Sequence, residues 1–281
     1  MKDVGLVLEG GGMRGLYTAG VLDTLMNEDI KVGGMVTVSA GALFGINYAS
    51  GQKGRALRYN KTYIQDKRYM GIRQLIKTGD IISKDFAYYT VPFTLDVFDE
   101  DAFKQSGIDF YATVTNMETG QAEYKLITEP FKEMETLRAS GSMPFVSKPV
   151  KLGDTHYLDG GVADSIPYEK AKELGYKKTL VILTRPLNYR KSKPNPFIID
   201  RWYKKYPKFR ETLKNRYLNY NHAIERISED EERGETFVIR PSKTIPIKRL
   251  EKDPEKLQEM YDLGVKDTLE RLEELKRYLT A

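Results

Sequence analysis

A serine and an aspartate, each at the end of a short apolar run, are the residues of this sequence best suited to chemistry. Within Met35–Leu43, an apolar run precedes Ser39 and small residues follow it. This is the layout of a nucleophile elbow, a sharp strand-to-helix turn that exposes the serine hydroxyl. Asp159 ends a second apolar run and precedes two glycines. A hydroxyl nucleophile and a carboxylate base together indicate acyl transfer.

A glycine-rich loop near the N-terminus is the third candidate. Gly10, Gly11 and Gly12 follow the apolar run Leu6–Leu8 and precede Arg14. Their amides are expected to stabilise an oxyanion, where loss of one donor costs about 10²–10³-fold in turnover. Arg14 has two interpretations: a cation that supports the loop or attracts a phosphate, or the first solvent-facing residue of the next helix.

Each of these features also has an ordinary structural explanation. Strand-glycine-helix turns are common, a serine after a strand often caps a helix, and aspartate before glycine often forms a turn. Their joint occurrence in this order favours an acyl hydrolase.

These blocks resemble those of the patatin-like phospholipase family. Gly10–Gly15 is similar to the family's Gly-Gly-Gly-x-Arg/Lys-Gly oxyanion loop, and Thr37–Gly41 is similar to its Gly-x-Ser-x-Gly elbow. A third block contains Asp159-Gly160-Gly161 and flanking prolines. The resemblance covers roughly residues 4–185. Thr37 replaces the first elbow glycine, and Ser165 replaces a frequent asparagine.

The resemblance implies a Ser39–Asp159 dyad, in which Ser39 attacks an ester and Asp159 accepts its proton. It implies a phospholipid or related lipid ester as substrate. The residues agree with a dyad, because a triad needs a histidine beside the serine. The chain has only His156 and His222. Alternation along a strand turns His156 away from Asp159, and His222 lies in a polar region.

The order of apolar runs predicts an α/β fold, with a mostly parallel central sheet between two helical layers and a C-terminal helical extension. We predict strands at 4–9, 35–38, 155–158 and 179–184, helices at 13–28, 40–50 and 168–174, and an antiparallel pair at 109–116 and 121–128. Ligands of such sheets bind beyond the carboxyl ends of the strands. Ser39, Asp159 and the glycine loop all fall there.

The domain prediction is a catalytic unit at 4–185 and an extension at 186–281 that packs on it or caps it. Ile198–Leu218 is basic and aromatic, with seven Lys/Arg against two Asp/Glu. Such a segment suits an anionic membrane surface or single-stranded nucleic acid. The alternative is a solvated helix whose aromatic side chains pack on the domain. An acyl hydrolase site favours the membrane over nucleic acid.

The segment Pro254–Ala281 is predicted to be one long helix. Its apolar residues recur at three- and four-residue steps: Leu257, Tyr261, Val265, Leu269, Leu272, Leu275 and Leu279. Docking of this stripe on the main domain is the default expectation, and a dimer contact is the alternative. The sequence leaves the oligomeric state open.

Composition sets broader bounds. The 281 residues are 40% hydrophobic and include no cysteine, which excludes disulfide frameworks and thiolate metal sites. We predict no metal and no cofactor, because no ligand cluster has a recognisable spacing. Neither an apolar signal segment nor an 18-residue apolar stretch is found. A cytoplasmic location is therefore expected, with peripheral membrane contact as an extension of it.

Other functions remain as alternatives at this stage. An acyltransferase or transacylase would use the same acyl-serine, and a relative without catalysis would only bind lipid. Gly10–Gly15 also fits the dinucleotide-binding pattern Gly-x-Gly-x-x-Gly. That pattern expects an acidic residue at the end of the second strand, where this chain has Ser39-Ala40. Nucleotide binding is therefore disfavoured.

Overall fold

Short apolar runs pair into one central eight-stranded sheet. The computed structural model describes residues 3–281. The strands are β1 (Val4–Leu8), β2 (Gly34–Val38), β3 (Asp109–Asn116), β4 (Ala122–Ile127), β5 (Val150–Leu152), β6 (Thr155–Asp159), β7 (Lys178–Ile182) and β8 (Thr236–Ile239). Strands β3, β2, β1, β7 and β8 are parallel neighbours, whereas β4 and β6 pair with β3 in the antiparallel sense and β5 pairs with β6. The predicted mostly parallel sheet is confirmed.

Helices connect and cover these strands. They are α1 (Leu16–Asn27), α2 (Ala40–Ala49), α3 (Arg55–Tyr63), α4 (Ile72–Thr78), α5 (Glu100–Gln105), α6 (Met134–Gly141), α7 (Tyr168–Glu173), α8 (Pro196–Trp202), α9 (Pro207–Glu232), α10 (Pro254–Glu270) and α11 (Leu272–Thr280). A 3₁₀ turn at Gly12–Gly15 precedes α1, and a π-type helix spans Lys84–Leu95. The predicted helix at 13–28 therefore begins as a tighter turn. Among residues 3–281, no helix combines the length and apolarity that crossing a membrane requires.

Alternation along the strands separates two apolar layers. Leu6 and Leu8 of β1 point into a large core together with α1, α2 and α10, while Val7 points into a second core with α7 and α9. Because successive side chains of a strand face opposite sides of the sheet, both faces need a helical cover. The result is the three-layer α/β/α arrangement that the sequence predicts.

The C-terminal region contributes one strand to the central sheet and packs a helix on α1. Strand β8 pairs in parallel with β7, and α10 packs along α1. The Tyr17 hydroxyl donates to the Asp267 carboxylate at 3.1 Å, which ties these two helices together. The predicted division at residue 185 stays a prediction, but the sheet itself extends beyond it.

The predicted single helix at 254–281 is wrong in one respect. The helix is interrupted at Arg271, whose φ of −107° and ψ of 8° separate α10 from α11. The residues that face the core also differ from the predicted stripe. Leu269 is 51% exposed, whereas Met260 and Leu263 are buried. The predicted stripe therefore holds at Leu257 and fails at Leu269.

The basic aromatic segment is divided between two surroundings. Tyr203, Phe209 and Leu213 are buried in a small cluster against Leu158 and Val162, as the packing alternative predicts. The basic side chains Lys204, Lys205 and Lys208 are exposed, and so are three large apolar side chains of α8: Phe197, Ile198 and Trp202.

Candidate active site

The backbone at Ser39 has the geometry of a nucleophile elbow. Strand β2 ends at Val38 and α2 begins at Ala40, so Ser39 alone makes the turn, with φ of 55° and ψ of −124°. A non-glycine residue in such a conformation costs on the order of 1–3 kcal/mol. The side chain is 8% exposed. A Cβ atom at Gly41 would lie 2.8 Å from the Leu8 carbonyl oxygen, so this glycine permits the crossing of α2 over β1.

Thr37 fits the elbow although a glycine is usual there. Its side chain is fully buried, and its hydroxyl donates to the Tyr111 carbonyl of β3 at 2.7 Å. The methyl group faces Gly45 of α2, where a Cβ atom would lie 3.8 Å from Thr37 Cγ2. The small residue on the helix therefore provides the room that a glycine on the strand would otherwise give.

The sheet brings Asp159 to Ser39. Strand β2 pairs with β3 as far as Val38, opposite Thr113, and β6 pairs with β3 from Asp159, opposite Val114. Strand β4 pairs with β3 along residues 110–115, a range that includes both Thr113 and Val114. Strand β4 therefore lies on the other edge of β3. Strands β2 and β6 thus share one edge of β3 and meet end to end. Ser39 and Asp159 lie where they meet.

The two side chains are in direct contact. The Ser39 hydroxyl donates to Asp159 Oδ2 at 2.6 Å, and Asp159 Oδ1 accepts from the Gly161 amide at 2.7 Å. Asp159 is 5% exposed. Burial raises the pKa of this carboxyl group, and the charge of Arg216, together with both hydrogen bonds, opposes that increase. The carboxylate is positioned to accept the hydroxyl proton.

Some backbone amides of the glycine loop are already hydrogen-bonded, and others have no acceptor within residues 3–281. The Gly10 amide donates to the Ser165 carbonyl at 3.4 Å, and the Met13 amide donates to the Arg249 carbonyl at 3.0 Å. The amides of Gly11 and Gly12 have no acceptor among residues 3–281. Gly11 and Gly12 are therefore the free donors of the loop, whereas the predicted donor Gly10 is already engaged.

Arg14 does not face solvent. It is 7% exposed, and its Nε atom has no hydrogen-bond partner within the described chain. Burial, followed by the charge of Arg185, lowers the pKa of Arg14 to about 10. The helix-surface interpretation of Arg14 is therefore wrong, and the side chain lies in a pocket beside Ser39.

Two cavities meet at Ser39. The first has a volume of about 110 Å³ and largely apolar walls, which include Met13, Leu43, Phe44, Tyr88, Val91, Phe98, Met134 and Leu137. The second, which we call the cationic pocket, has a volume of about 310 Å³. Its charged side chains are Arg14, Arg185, Lys191, Arg216 and Arg249, with Glu9 and Asp159 as the acidic ones. Ser39 and Gly12 line both cavities.

Sequence reasoning missed four of these cations: Arg185, Lys191, Arg216 and Arg249. Arg216 carries a recognisable signal. It lies three residues after Leu213 and four before Tyr220, so it falls on the buried face of α9. The Arg216 Nε and Lys191 Nζ atoms both donate to the Ser165 hydroxyl, at 3.3 and 3.4 Å.

The two histidines lie away from Ser39. His156 approaches Glu118, with 3.4 Å between Nδ1 and Oε1, and His222 is exposed. Neither histidine lines the two cavities at Ser39. Residues 3–281 contain no group of three His, Asp or Glu side chains arranged to hold a metal ion.

Comparison with protein families gives two matches. The model described as patatin-like phospholipase matches residues 6–172, and a domain of unknown function (DUF6363) matches residues 206–280.

Two individual relatives are about 30% identical to this chain. The uncharacterized protein YjjU of Escherichia coli is 30% identical over 191 residues, which are 65% of this chain and 52% of YjjU. Lysophospholipase nte1 of Aspergillus niger is 29% identical over 185 residues, or 62% of this chain and 11% of that enzyme. The chain thus spans about half of the bacterial relative and a small part of the fungal one. The crystal structure of VipD from Legionella pneumophila aligns with 96% of this chain and 66% of its own, at 13% identity and a TM-score of 0.46.

Proposed function

This chain belongs to the patatin-like phospholipase family, and from that premise we propose that it is a serine acyl hydrolase. Its proposed substrates are phospholipids or related lipid esters. The observation that carries the proposal is the 2.6 Å hydrogen bond from the strained Ser39 to the buried Asp159. A strained serine that donates to a buried carboxylate suits the nucleophile and base of ester cleavage.

The proposed reaction has two halves. Ser39 Oγ attacks the ester carbonyl carbon while its proton passes to Asp159 Oδ2. The bond to the alcohol oxygen then breaks, and the alcohol leaves with that proton. Water next attacks the acyl-serine, giving its proton to Asp159, and the fatty acid is released as Ser39 recovers a proton.

Charge that develops on the carbonyl oxygen needs donors during both halves. The free amides of Gly11 and Gly12 are the proposed oxyanion donors. The N-terminus of α2, directly after Ser39, adds a favourable dipole. Gly10 is proposed to shape the loop, because its own amide is engaged by Ser165.

The substrate is proposed to divide between the two cavities. The apolar cavity receives the acyl chain, because its walls offer contacts of the kind that a hydrocarbon chain needs. In this proposal residues 4–185 form the catalytic unit, while 186–281 supply Lys191, Arg216 and Arg249 to the other side of Ser39.

Contact with a lipid surface is proposed to involve α8 and the residues after it. Trp202 is 63% exposed, Phe197 and Ile198 are exposed beside it, and Lys204 and Lys205 follow in the sequence. Aromatic and basic side chains together suit the head-group level of an anionic membrane. Peripheral binding through Ile198–Leu218 is therefore part of the proposal.

Labelling with a fluorophosphonate, which reacts with activated serines, tests the central claim. The wild-type protein should be labelled at Ser39 and should hydrolyse a short-chain ester, and Ser39→Ala should lose both properties. Ser50→Ala is the matched control, because Ser50 is also buried but lies at the far end of α2. Turnover by Ser39→Ala close to that of the wild type would refute the assignment. Product analysis with added alcohol separates hydrolysis from acyl transfer.

A further inference from the structure

The cationic pocket gathers positive charge without pairing it. Five cationic side chains line it, against the carboxylates of Glu9 and Asp159. These carboxylates already accept other bonds: Glu9 from the Thr184 amide at 2.5 Å, and Asp159 from Ser39 and Gly161. Within residues 3–281, no carboxylate oxygen lies within 4.0 Å of a nitrogen of the five cationic side chains.

Arginines elsewhere in the molecule show that this arrangement is unusual for this chain. Three arginines are buried. Arg55 pairs with Asp96 at 3.2 Å and Arg138 pairs with Glu135 at 2.6 Å. Arg14 has no such partner among the described residues, and its buried Nε atom donates to nothing. Buried charges are ordinarily paired. Arg14 is buried, Arg185, Lys191 and Arg216 beside it are half-buried, and Arg249 is exposed at the rim, so a ligand with negative charge would supply the missing partner.

We propose that the cationic pocket binds a phosphate group carrying two negative charges, and that this group is a phosphomonoester on the alcohol side of the substrate's ester. The assignment to substrate rests on the proposed hydrolase function, because Ser39 lies between this pocket and the apolar cavity. A lipid phosphomonoester and free phosphate share the chemistry that the pocket recognises.

The aromatic side chains of the pocket argue against a zwitterionic head group. A quaternary ammonium is recognised by open aromatic faces. Here Arg185 lies over the Tyr189 ring, 4.3 Å from its centroid, and Lys191 lies over the Tyr220 ring at 4.0 Å. The chain's own cations therefore already use both rings. A choline group would meet like charges, whereas a phosphate oxygen would meet donors.

The position of Lys191 among these charges agrees with the proposal. Burial lowers the pKa of this lysine well below its ordinary value, and the charges of Arg216, Arg249 and Arg14 lower it further. Glu9 is the nearby charge that opposes the change. A bound dianion would offset both the burial and the repulsion, so the pocket and a phosphate stabilise each other.

Binding of inorganic phosphate tests the pocket without any lipid. The unfolding temperature of the full chain should rise with phosphate concentration and not with chloride at matched ionic strength, because a ligand of the native state stabilises it. Lys191→Gln should reduce this rise. Lys193→Gln, an exposed lysine two residues away, should keep it. An equal rise in phosphate and chloride would overturn the anion site.

Matched lipids test the source of the phosphate. Lysophosphatidic acid and lysophosphatidylcholine with the same acyl chain, presented in neutral detergent micelles, differ only in the head group. The wild type should prefer the phosphomonoester by at least about tenfold in kcat/KM, the loss expected for one hydrogen bond to a charged group. The ratio of the two kcat/KM values should fall toward one in Lys191→Gln and should remain at the wild-type value in Lys193→Gln.

The two experiments separate the proposals. Phosphate-specific stabilisation with a tenfold lipid preference supports the head-group assignment. Stabilisation with equal hydrolysis of both lipids keeps the phosphate site and overturns its assignment to substrate. Hydrolysis of neither lipid and of no short-chain ester, with stabilisation intact, refutes the hydrolase function and leaves a site for free phosphate. No phosphate effect together with equal rates overturns the inference while the hydrolase function stands.

Discussion

The two cavities at Ser39 are built from different parts of the chain. The apolar cavity is lined almost wholly by residues between Gly12 and Met143, all within the segment that matches the patatin-like phospholipase model. Of the five cations in the other pocket, four come from residue 185 onward. Arg216 and Arg249 lie within the segment that matches a domain of unknown function. Ser39 and the proposed acyl side thus belong to the family segment, whereas most cations of the proposed alcohol side lie outside it.

The walls of the two cavities also differ in their effect on the stability of the folded protein. Apolar walls are stabilised by burial away from water. The buried Arg14 and the half-buried Arg185, Lys191 and Arg216 have no carboxylate partner within 4.0 Å among residues 3–281, and such cations are destabilising until an anion arrives. The cationic pocket is therefore where this molecule gives up stability, which is the usual sign of a binding site. Substitutions on the two sides of Ser39 should consequently have different signatures.

The largest expected effect comes from Asp159, the partner of the Ser39 hydroxyl, because Ser39 lines both cavities. Asp159→Asn removes the proposed base and should lower kcat/KM by about 10⁴-fold, the scale seen when a catalytic carboxylate is removed. The loss should be the same for esters with neutral and with anionic alcohols. A loss confined to one kind would show that Asp159 serves only one cavity.

Stability should move in the other direction. Because the folded-state pKa of Asp159 is raised, its neutral form contributes stability at low pH. This contribution is lost as pH rises through that pKa and the buried carboxyl ionises. Asparagine mimics the neutral carboxyl, so the unfolding temperature at pH 7 should not fall. Asp164→Asn is the matched control. The pKa of Asp164 is also raised by burial, but its Oδ2 accepts from the Tyr124 hydroxyl, away from Ser39.

The next largest effect is on membrane binding, which we expect to depend on exposed lysines and not on the cations of the pocket. Replacing Lys204, Lys205 and Lys208 by Gln should weaken binding to anionic vesicles by about 10²-fold, since each basic residue near such a surface adds about 1 kcal/mol. Binding of the wild type should weaken steeply with salt. Hydrolysis of a soluble ester should persist. Vesicle binding that is equal in both proteins would count against this surface.

Much of the catalytic geometry was accessible from the sequence because it depends on local backbone chemistry. A serine between an apolar run and small residues, and an aspartate before two glycines, specify turns that place side chains at strand ends. That the ends of β2 and β6 meet follows from strand pairing with β3. The approach of Ser39 to Asp159 is consistent with the predicted dyad, whose catalytic role remains a proposal.

The cationic pocket was not accessible, because its members are scattered over residues 14–249 and converge only through tertiary packing. The basic run at Ile198–Leu218 was recognised, but it divides: Arg216 faces the pocket while Lys204 and Lys208 face solvent. The interruption of the last helix at Arg271 also lacked a signal, because neither proline nor glycine marks it.

The pH dependence of kcat/KM should connect the dyad to the cationic pocket. Asp159 acts as a base only when ionised, and burial raises its pKa, so activity should fall tenfold per unit as pH decreases through a value above 3.8. Ser39 and Gly161 bond to this carboxyl, and the charges of Arg216 and Arg249 lower its pKa.

Removing the charge of Arg216, the stronger of the two charges on Asp159, should shift the pH profile of kcat/KM. Arg216→Gln should move the acid limb to higher pH, and the exposed change Lys208→Gln should leave it in place. The measurement is kcat/KM for a neutral soluble ester between pH 4 and 8. A limb that stays in place in Arg216→Gln would show that the pocket charge does not act on the base.

The smallest effect belongs to the apolar side alone. Leu43 lines the apolar cavity one helical turn after Ser39 and is half-buried. Leu43→Phe adds bulk to a space of about 110 Å³, so fewer methylene groups of an acyl chain should fit. Each excluded methylene loses about 0.8 kcal/mol of burial, or roughly fourfold in kcat/KM. The ratio of long-chain to short-chain ester hydrolysis should therefore fall, while the preference for an anionic alcohol should not change. Leu126→Phe, on the exposed face of β4, is the control. If Leu43→Phe altered the head-group preference and left the chain-length ratio unchanged, the roles of the two cavities would have to be exchanged.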